Sequence, residues 1–145
     1  LKELRFPITD PFVLEELLPQ RQPMIMVDAL MYYDKKSLVS ELTISEENIF
    51  VADGFLSETG LLEHIAQSVA LHTGYTEYLE EKPTKEGYIG AIKKAEILKT
   101  PAINKTIETE VKIIHAAIGI TLVKTITKLE QEVIATTEMK TMLKP

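Results

Sequence analysis

The sequence predicts an α+β fold: a curved antiparallel sheet of about six strands wrapped around one long central helix. Two observations carry this. Gly60 to Leu79 is one helical stretch, largely apolar and rich in small residues, which calls for close cover on more than one side. Everything after the Glu80–Glu86 loop is dominated by threonine and β-branched residues, as antiparallel sheet prefers. There is no internal repeat, low-complexity segment or Gly/Ser/Pro linker, so residues 1–145 read as a single domain.

The elements follow in order. Pro11 to Leu18 reads as a short helix, with Asp10 as cap, proline at the first helical position and Pro19 as stop. Met24 to Tyr33 is apolar and suits a buried strand. Lys35-Lys36 mark a turn, and Leu38 to Ile44 alternates as a second strand. Glu46 to Ser57 is irregular. Either Ser57 or Thr59 can cap the long helix. At about 100° per residue, Leu62, Ile65, Ala66, Val69, Ala70 and Thr73 share one apolar arc. Glu63, Gln67 and Gly74 lie on its border; His64, Ser68 and Tyr75 lie further round, with His72 opposite Glu63. Four strands complete the chain: Tyr88 to Leu98, Thr106 to Ala116, Ile118 to Leu129 and Val133 to Leu143. His115 falls on the apolar face of the second of these. Gly119 and Lys128 to Glu132 are turns.

Composition narrows the function. A length of 145 residues suits one real core, and 45% hydrophobic with 26% charged residues is an ordinary globular balance. The lack of cysteine excludes disulfides, thiolate metal sites and a cysteine nucleophile. Three scattered histidines give no metal-ligand spacing, so no metal is expected. The longest apolar run, Val111 to Val123, is interrupted by Lys112 and His115, which argues against a membrane span. No basic segment followed by an apolar one opens the chain, so a cytoplasmic location is expected. A net charge of −6 argues against general nucleic-acid binding. No phosphate-binding glycine loop, nucleophile elbow or dinucleotide fingerprint is present.

Three segments carry a resemblance. Leu18-Pro19-Gln20-Arg21-Gln22-Pro23-Met24-Ile25-Met26-Val27-Asp28 is similar to the L-P-H-R-x-P-hydrophobic-V-D segment of the hotdog-fold 3-hydroxyacyl-(acyl-carrier-protein) dehydratases, with Gln20 in place of the histidine. Leu61-Leu62-Glu63-His64-Ile65-Ala66-Gln67 resembles the family's helix motif, hydrophobic-hydrophobic-E-x-hydrophobic-A-Q. Gly90-Ala91-Ile92-Lys93-Lys94-Ala95-Glu96-Ile97 resembles its G-I-x-K-A-x-F strand. The likeness runs in order over nearly the whole chain. The absence of the family's P-G-V before the helix makes the divergent branch of aryl-polyene and related pigment pathways the nearer comparison.

The resemblance implies an acyl thioester substrate. Elimination of water needs a base at C2, an acid at the C3 oxygen and donors for the thioester carbonyl. In the family the histidine is the base, and the glutamate comes from the neighbouring subunit of a dimer. Glu63 maps onto that glutamate, with Gln67 holding it or lying at a subunit interface. The N–H groups at the helix start, Gly60 and Leu61, would bind the carbonyl. Gln20 falls where the base should be, and an amide takes no proton at neutral pH. Glu63 could act alone with Gln20 polarising the carbonyl, a histidine could substitute, or the protein could bind without dehydrating. Arg21 either contacts a phosphopantetheine phosphate or ties down the short helix.

Three readings stand: a lyase, a hotdog thioesterase using Glu63, and a non-catalytic partner subunit. The implied partners are acyl carrier protein or acyl-CoA, with the substrate on phosphopantetheine and no further cofactor. A homodimer or higher even oligomer is implied, or a hetero-oligomer with a related subunit. Lys93, Lys94, Lys99 and Lys105 could form a basic patch for an acidic carrier.

Overall fold

The computed structural model describes residues 4–83 and 87–143; the last part of the expected Glu80–Glu86 loop lies outside the described residues. Asp10 accepts the Phe12 N–H at 2.9 Å and opens α1, Pro11–Leu17, where Pro11 suits a position whose N–H has no partner. A hairpin follows, β1 (Ala29–Asp34) and β2 (Ser37–Thr43), turned where Asp34 accepts the Lys36 N–H. A small hairpin, β3 (Val51–Ala52) with β4 (Phe55–Leu56), leads into α2, Glu58–Leu79. The last four strands are β5 (Gly87–Ile97), β6 (Thr106–Ala117), β7 (Ile120–Leu129) and β8 (Glu132–Leu143).

Six strands form one antiparallel sheet in the order β1-β2-β6-β7-β8-β5. Its concave face carries alternate residues of each strand and packs on α2: Leu38, Ser40 and Leu42 from β2, then Ile107, Thr109 and Val111 from β6. Leu61, Ile65 and Leu71 of the helix are fully buried there. Each side chain of this size contributes about 1.5–3 kcal/mol by leaving water. On the flank of α2, α1 docks through Leu14 and Leu17. Gly74 permits this: a Cβ there would overlap the Leu17 carbonyl.

Four expectations need correction. Strand β1 begins at Ala29 rather than Met24, because the backbone of residues 24–26 is bonded by side chains of α2 instead of by a strand. The segment expected to be irregular holds the β3–β4 hairpin, turned at Asp53 and Gly54, both at positive φ. Ile118 is a fully exposed turn residue at φ 44°, not a strand residue. His115 is exposed, because the β6–β7 hairpin runs beyond the core there and residues 114–120 are exposed on both faces.

The helix also faces the sheet differently from the expected arc. Leu62, Ala66, Ala70 and Thr73 are only half-buried, while His64, Ser68, His72 and Tyr75 are buried. The sheet explains this. Its concave face presents Ser40, Thr109, Thr125, Thr127 and Thr137, all buried, so polar helix residues find partners there. Ser40 and Ser68 hydroxyls lie 2.7 Å apart, and Ser68 donates to the His64 carbonyl.

Candidate active site

The carboxylate of Glu63 stands half-buried on the second turn of α2. Four residues on, Gln67 shares its face and is fully buried. The Gln67 amide uses both ends. Its Nε2 donates to Glu63 Oε2 at 2.8 Å and to the Met24 carbonyl at 2.7 Å. Its Oε1 accepts the Met26 N–H at 2.7 Å. Because Met26 N–H can only donate and Met24 C=O can only accept, the amide has one allowed orientation. The amide's donor rests on Oε2 and leaves Oε1 of Glu63 without a bond from Gln67.

The helix start differs from one built on Thr59. Ser57 is the cap: its Oγ accepts the Gly60 N–H at 3.2 Å, and its carbonyl accepts the Leu61 N–H at 3.0 Å. Gly60 and Leu61 are therefore the third and fourth helical residues, and the N–H groups expected to donate to a ligand donate to Ser57 instead. By helix geometry the first-turn N–H groups without a helical acceptor are those of Glu58 and Thr59. Gly60 is also enclosed, since a Cβ there would meet Phe50 and Leu56.

Gln20 lies in the connection after α1, half-buried, and its buried Oε1 accepts no hydrogen bond among the described residues. Arg21 turns back onto the short helix. Its Nη1 donates to the carbonyls of Glu15, Leu18 and Gln20, and its Nε pairs with Glu15 at 3.1 Å. These contacts are those of a helix C-terminal clamp.

None of the three histidines stands in for the missing one. His64 is fully buried between the Met26 carbonyl and Thr109, and burial pushes its pKa down to about 4. His72 donates to the Asp34 carbonyl, and burial lowers its pKa too. His115 is on the exposed end of β6. A cavity of about 790 Å³ opens at the other end of α2, lined by Tyr33, Val69, His72, Thr73, Tyr75 and Ile113 among others. None of the site residues expected from sequence lines it.

Among the expected basic residues, Lys99 pairs with Glu132 at 3.1 Å and Lys105 with Glu130 at 2.8 Å. Lys93 and Lys94 are exposed on β5. Among the described residues no cluster could hold a metal ion, and no helix is long and apolar enough to cross a membrane. Sequence reasoning missed the backbone of residues 24–26 as the partner of Gln67 and His64. The i, i+4 spacing of Glu63 and Gln67 was the available signal, but nothing in it names the carbonyls that complete the amide's bonds.

Residues 12–144 match the ApeP-like family, described as ApeP dehydratase. No curated protein matches the chain in sequence. Among solved structures, the dehydratase heterocomplex ApeI:P from Xenorhabdus doucetiae superposes with a TM-score of 0.86 over 91% of each chain, at 13% identity. The PaaI protein of the E. coli phenylacetic acid degradation operon matches with a TM-score of 0.64, 10% identity and 78% and 80% coverage of this chain and of that one. A hypothetical thioesterase with coenzyme A from Streptococcus pneumoniae gives 0.63, 8% identity and 79% and 84% coverage. These likenesses establish the hotdog fold.

Proposed function

The chain belongs to the ApeP-like dehydratase family, and on that premise we propose that it dehydrates 3-hydroxyacyl thioesters as one half of a composite site. Glu63 is the acid at the C3 oxygen, and a related subunit supplies the histidine that position 20 lacks. The observation that carries this is the oriented Glu63–Gln67 pair in a chain whose position 20 holds an amide where the family has its histidine. The similar ApeI:P structure is a dehydratase heterocomplex, which supports an assembly of unlike chains.

The partner's neutral imidazole takes the C2 proton. The electron pair forms the C2–C3 double bond as the C3–O bond breaks, and the proton on Glu63 Oε1 leaves with the oxygen as water. The N–H groups of Glu58 and Thr59, at the positive end of α2, are placed to stabilise charge developing on the thioester carbonyl. Gln20 is an acceptor and donor but not a base, so the site containing it holds substrate without turning it over. The substrate is carried on phosphopantetheine, as acyl carrier protein or CoA thioester.

The test uses the pure protein, alone and mixed with a histidine-bearing related subunit, with a 3-hydroxyacyl carrier substrate. Enoyl product that appears only in the mixture supports the proposal. Free thiol without enoyl would assign a thioesterase instead. Glu63→Gln is expected to abolish the activity of the mixture; full activity in that variant would falsify the site.

A further inference from the structure

Between Glu63 and Gln67 lies a buried histidine that takes no part in the proton transfers above. We propose that His64 is a positioning residue for Glu63: it holds the Met26 carbonyl, and through residues 24–26 it fixes the Gln67 amide that orients the acid. This rests on the dehydratase reading for its effect on rate, but not for its structural content.

The tautomer follows from the partners. A carbonyl only accepts, so His64 Nδ1, 2.7 Å from the Met26 oxygen, carries the hydrogen. Nε2 is then an acceptor and takes the Thr109 hydroxyl at 2.8 Å. The Thr109 oxygen in turn takes the Thr127 hydroxyl at 2.7 Å. This relay anchors the ring to β6 and β7 at the middle of the sheet, and every member is buried. Burial holds the ring neutral over the ordinary pH range, which keeps this tautomer available.

The Met26 residue is thus gripped at both ends. Its N–H goes to Gln67 Oε1 and its C=O to His64 Nδ1. The two gripping side chains project from α2 about 60° apart and close on one residue of the segment that follows Gln20. If the carbonyl is released, the Met26–Val27 peptide can turn and Met26 loses one of its two anchors. The remaining bond from its N–H to Gln67 Oε1 then opens more readily, and an amide without that bond is free to turn its Nε2 away from Glu63. The sheet fixes the ring, the ring fixes the segment, and the segment fixes the amide. A side chain that merely filled the space would not need the Nδ1 hydrogen.

Two amide substitutions separate the ring's two bonds. His64→Asn places a donor near the Nδ1 position, and His64→Gln places one near Nε2 only. Amide exchange is followed at Met26 N–H and at the Gln67 side-chain Nε2 protons, with kcat and KM for dehydration measured in the mixture with the related subunit. His64→Asn is expected to keep protection and kcat within about threefold. His64→Gln is expected to lose about tenfold in both, with KM unchanged. Equal behaviour of the two variants, or undiminished protection in His64→Gln, would overturn the proposal. If either variant fails to fold, Thr109→Val decides. It removes the donor to Nε2 and should lower Gln67 protection about threefold, and unchanged protection there would equally overturn it. A wild-type protein without dehydratase activity would sink the functional reading alone, since the exchange comparison still decides the grip.

Discussion

Lowering the pH should destabilise this protein through His64. The ring is fully buried and its pKa falls from 6.5 to about 4, chiefly because burial disfavours the charged form, with the Met26 carbonyl opposing. Between these values the unfolded chain binds a proton that the folded chain refuses. The stabilisation is complete above pH 6.5 and is lost as pH falls toward 4. A displacement of about 2.5 units at about 1.4 kcal/mol per unit is roughly 3 kcal/mol. That is a large share of the about 5–15 kcal/mol that holds a typical domain folded. His72 contributes in the same direction. Asp28 contributes in the opposite one, since desolvation raises its pKa and favours the fold at low pH. Both cancel when the wild type is compared with His64→Asn at one protein concentration. The assay is urea unfolding from pH 7.5 to 4. With an m-value of about 2 kcal/mol/M, the wild-type midpoint should fall relative to the variant by roughly 1.5 M. A difference that stays flat across this range would refute the buried neutral ring.

Two further predictions test the packing of α2. Gly74→Ala would stabilise an exposed helix by about 1 kcal/mol, yet here its Cβ overlaps the Leu17 carbonyl. A net loss of about 2 kcal/mol is expected, lowering Tm by roughly 6 °C, and a rise in Tm would show that α1 does not dock as described. Ser68→Ala strips the buried Ser40 hydroxyl of its acceptor, at about 1–3 kcal/mol, whereas Ser40→Ala/Ser68→Ala together should cost less than Ser68→Ala alone. Additive losses in that cycle would mean the two hydroxyls do not bond.

The fold was legible because its signals are local. Asp10-Pro11 marks a helix start by chemistry that needs no tertiary context. The β-branched and threonine residues of β6 to β8 likewise declare themselves. The Asp53-Gly54 turn was equally local and could have been found. The rotation of α2 was not legible, because it depends on what the sheet offers. Periodicity selects Leu62, Ala66, Ala70 and Thr73 as the inward face. The threonines and Ser40 opposite make His64 and Ser68 the better fit. Residues 24–26 failed for a related reason. Their apolar run suits a strand, but their backbone bonds go to Gln67 and His64, about forty positions away in sequence. At the site, spacing places Glu63 and Gln67 on one helix border, where they bond, while their roles rest on the resemblance. Arg21 admitted two roles, and its contacts with Glu15 and the α1 carbonyls supply the structural one.

On the proposed function, the loss of a histidine at position 20 has a countable consequence. When acid and base come from different subunits, a pair of identical chains builds two identical sites. Gln20 would then disable both. A pair of unlike chains builds one site from Glu63 and the partner's histidine, and another from Gln20 and the partner's glutamate. The first retains acid and base, while the second retains only an acid facing an amide. A mixture of the two chains should therefore show about one active site per pair in single-turnover dehydration, not two. Gln20→His should convert the second site, giving about two sites per pair and at most a doubling of kcat per pair. The same variant on its own should acquire an activity that the wild-type chain lacks. Two sites per pair in the wild-type mixture would mean that Gln20 does not limit the chemistry. Gln20→His without gain, alone or paired, would mean that the Gln20 pocket has lost the geometry for proton abstraction and not only the imidazole.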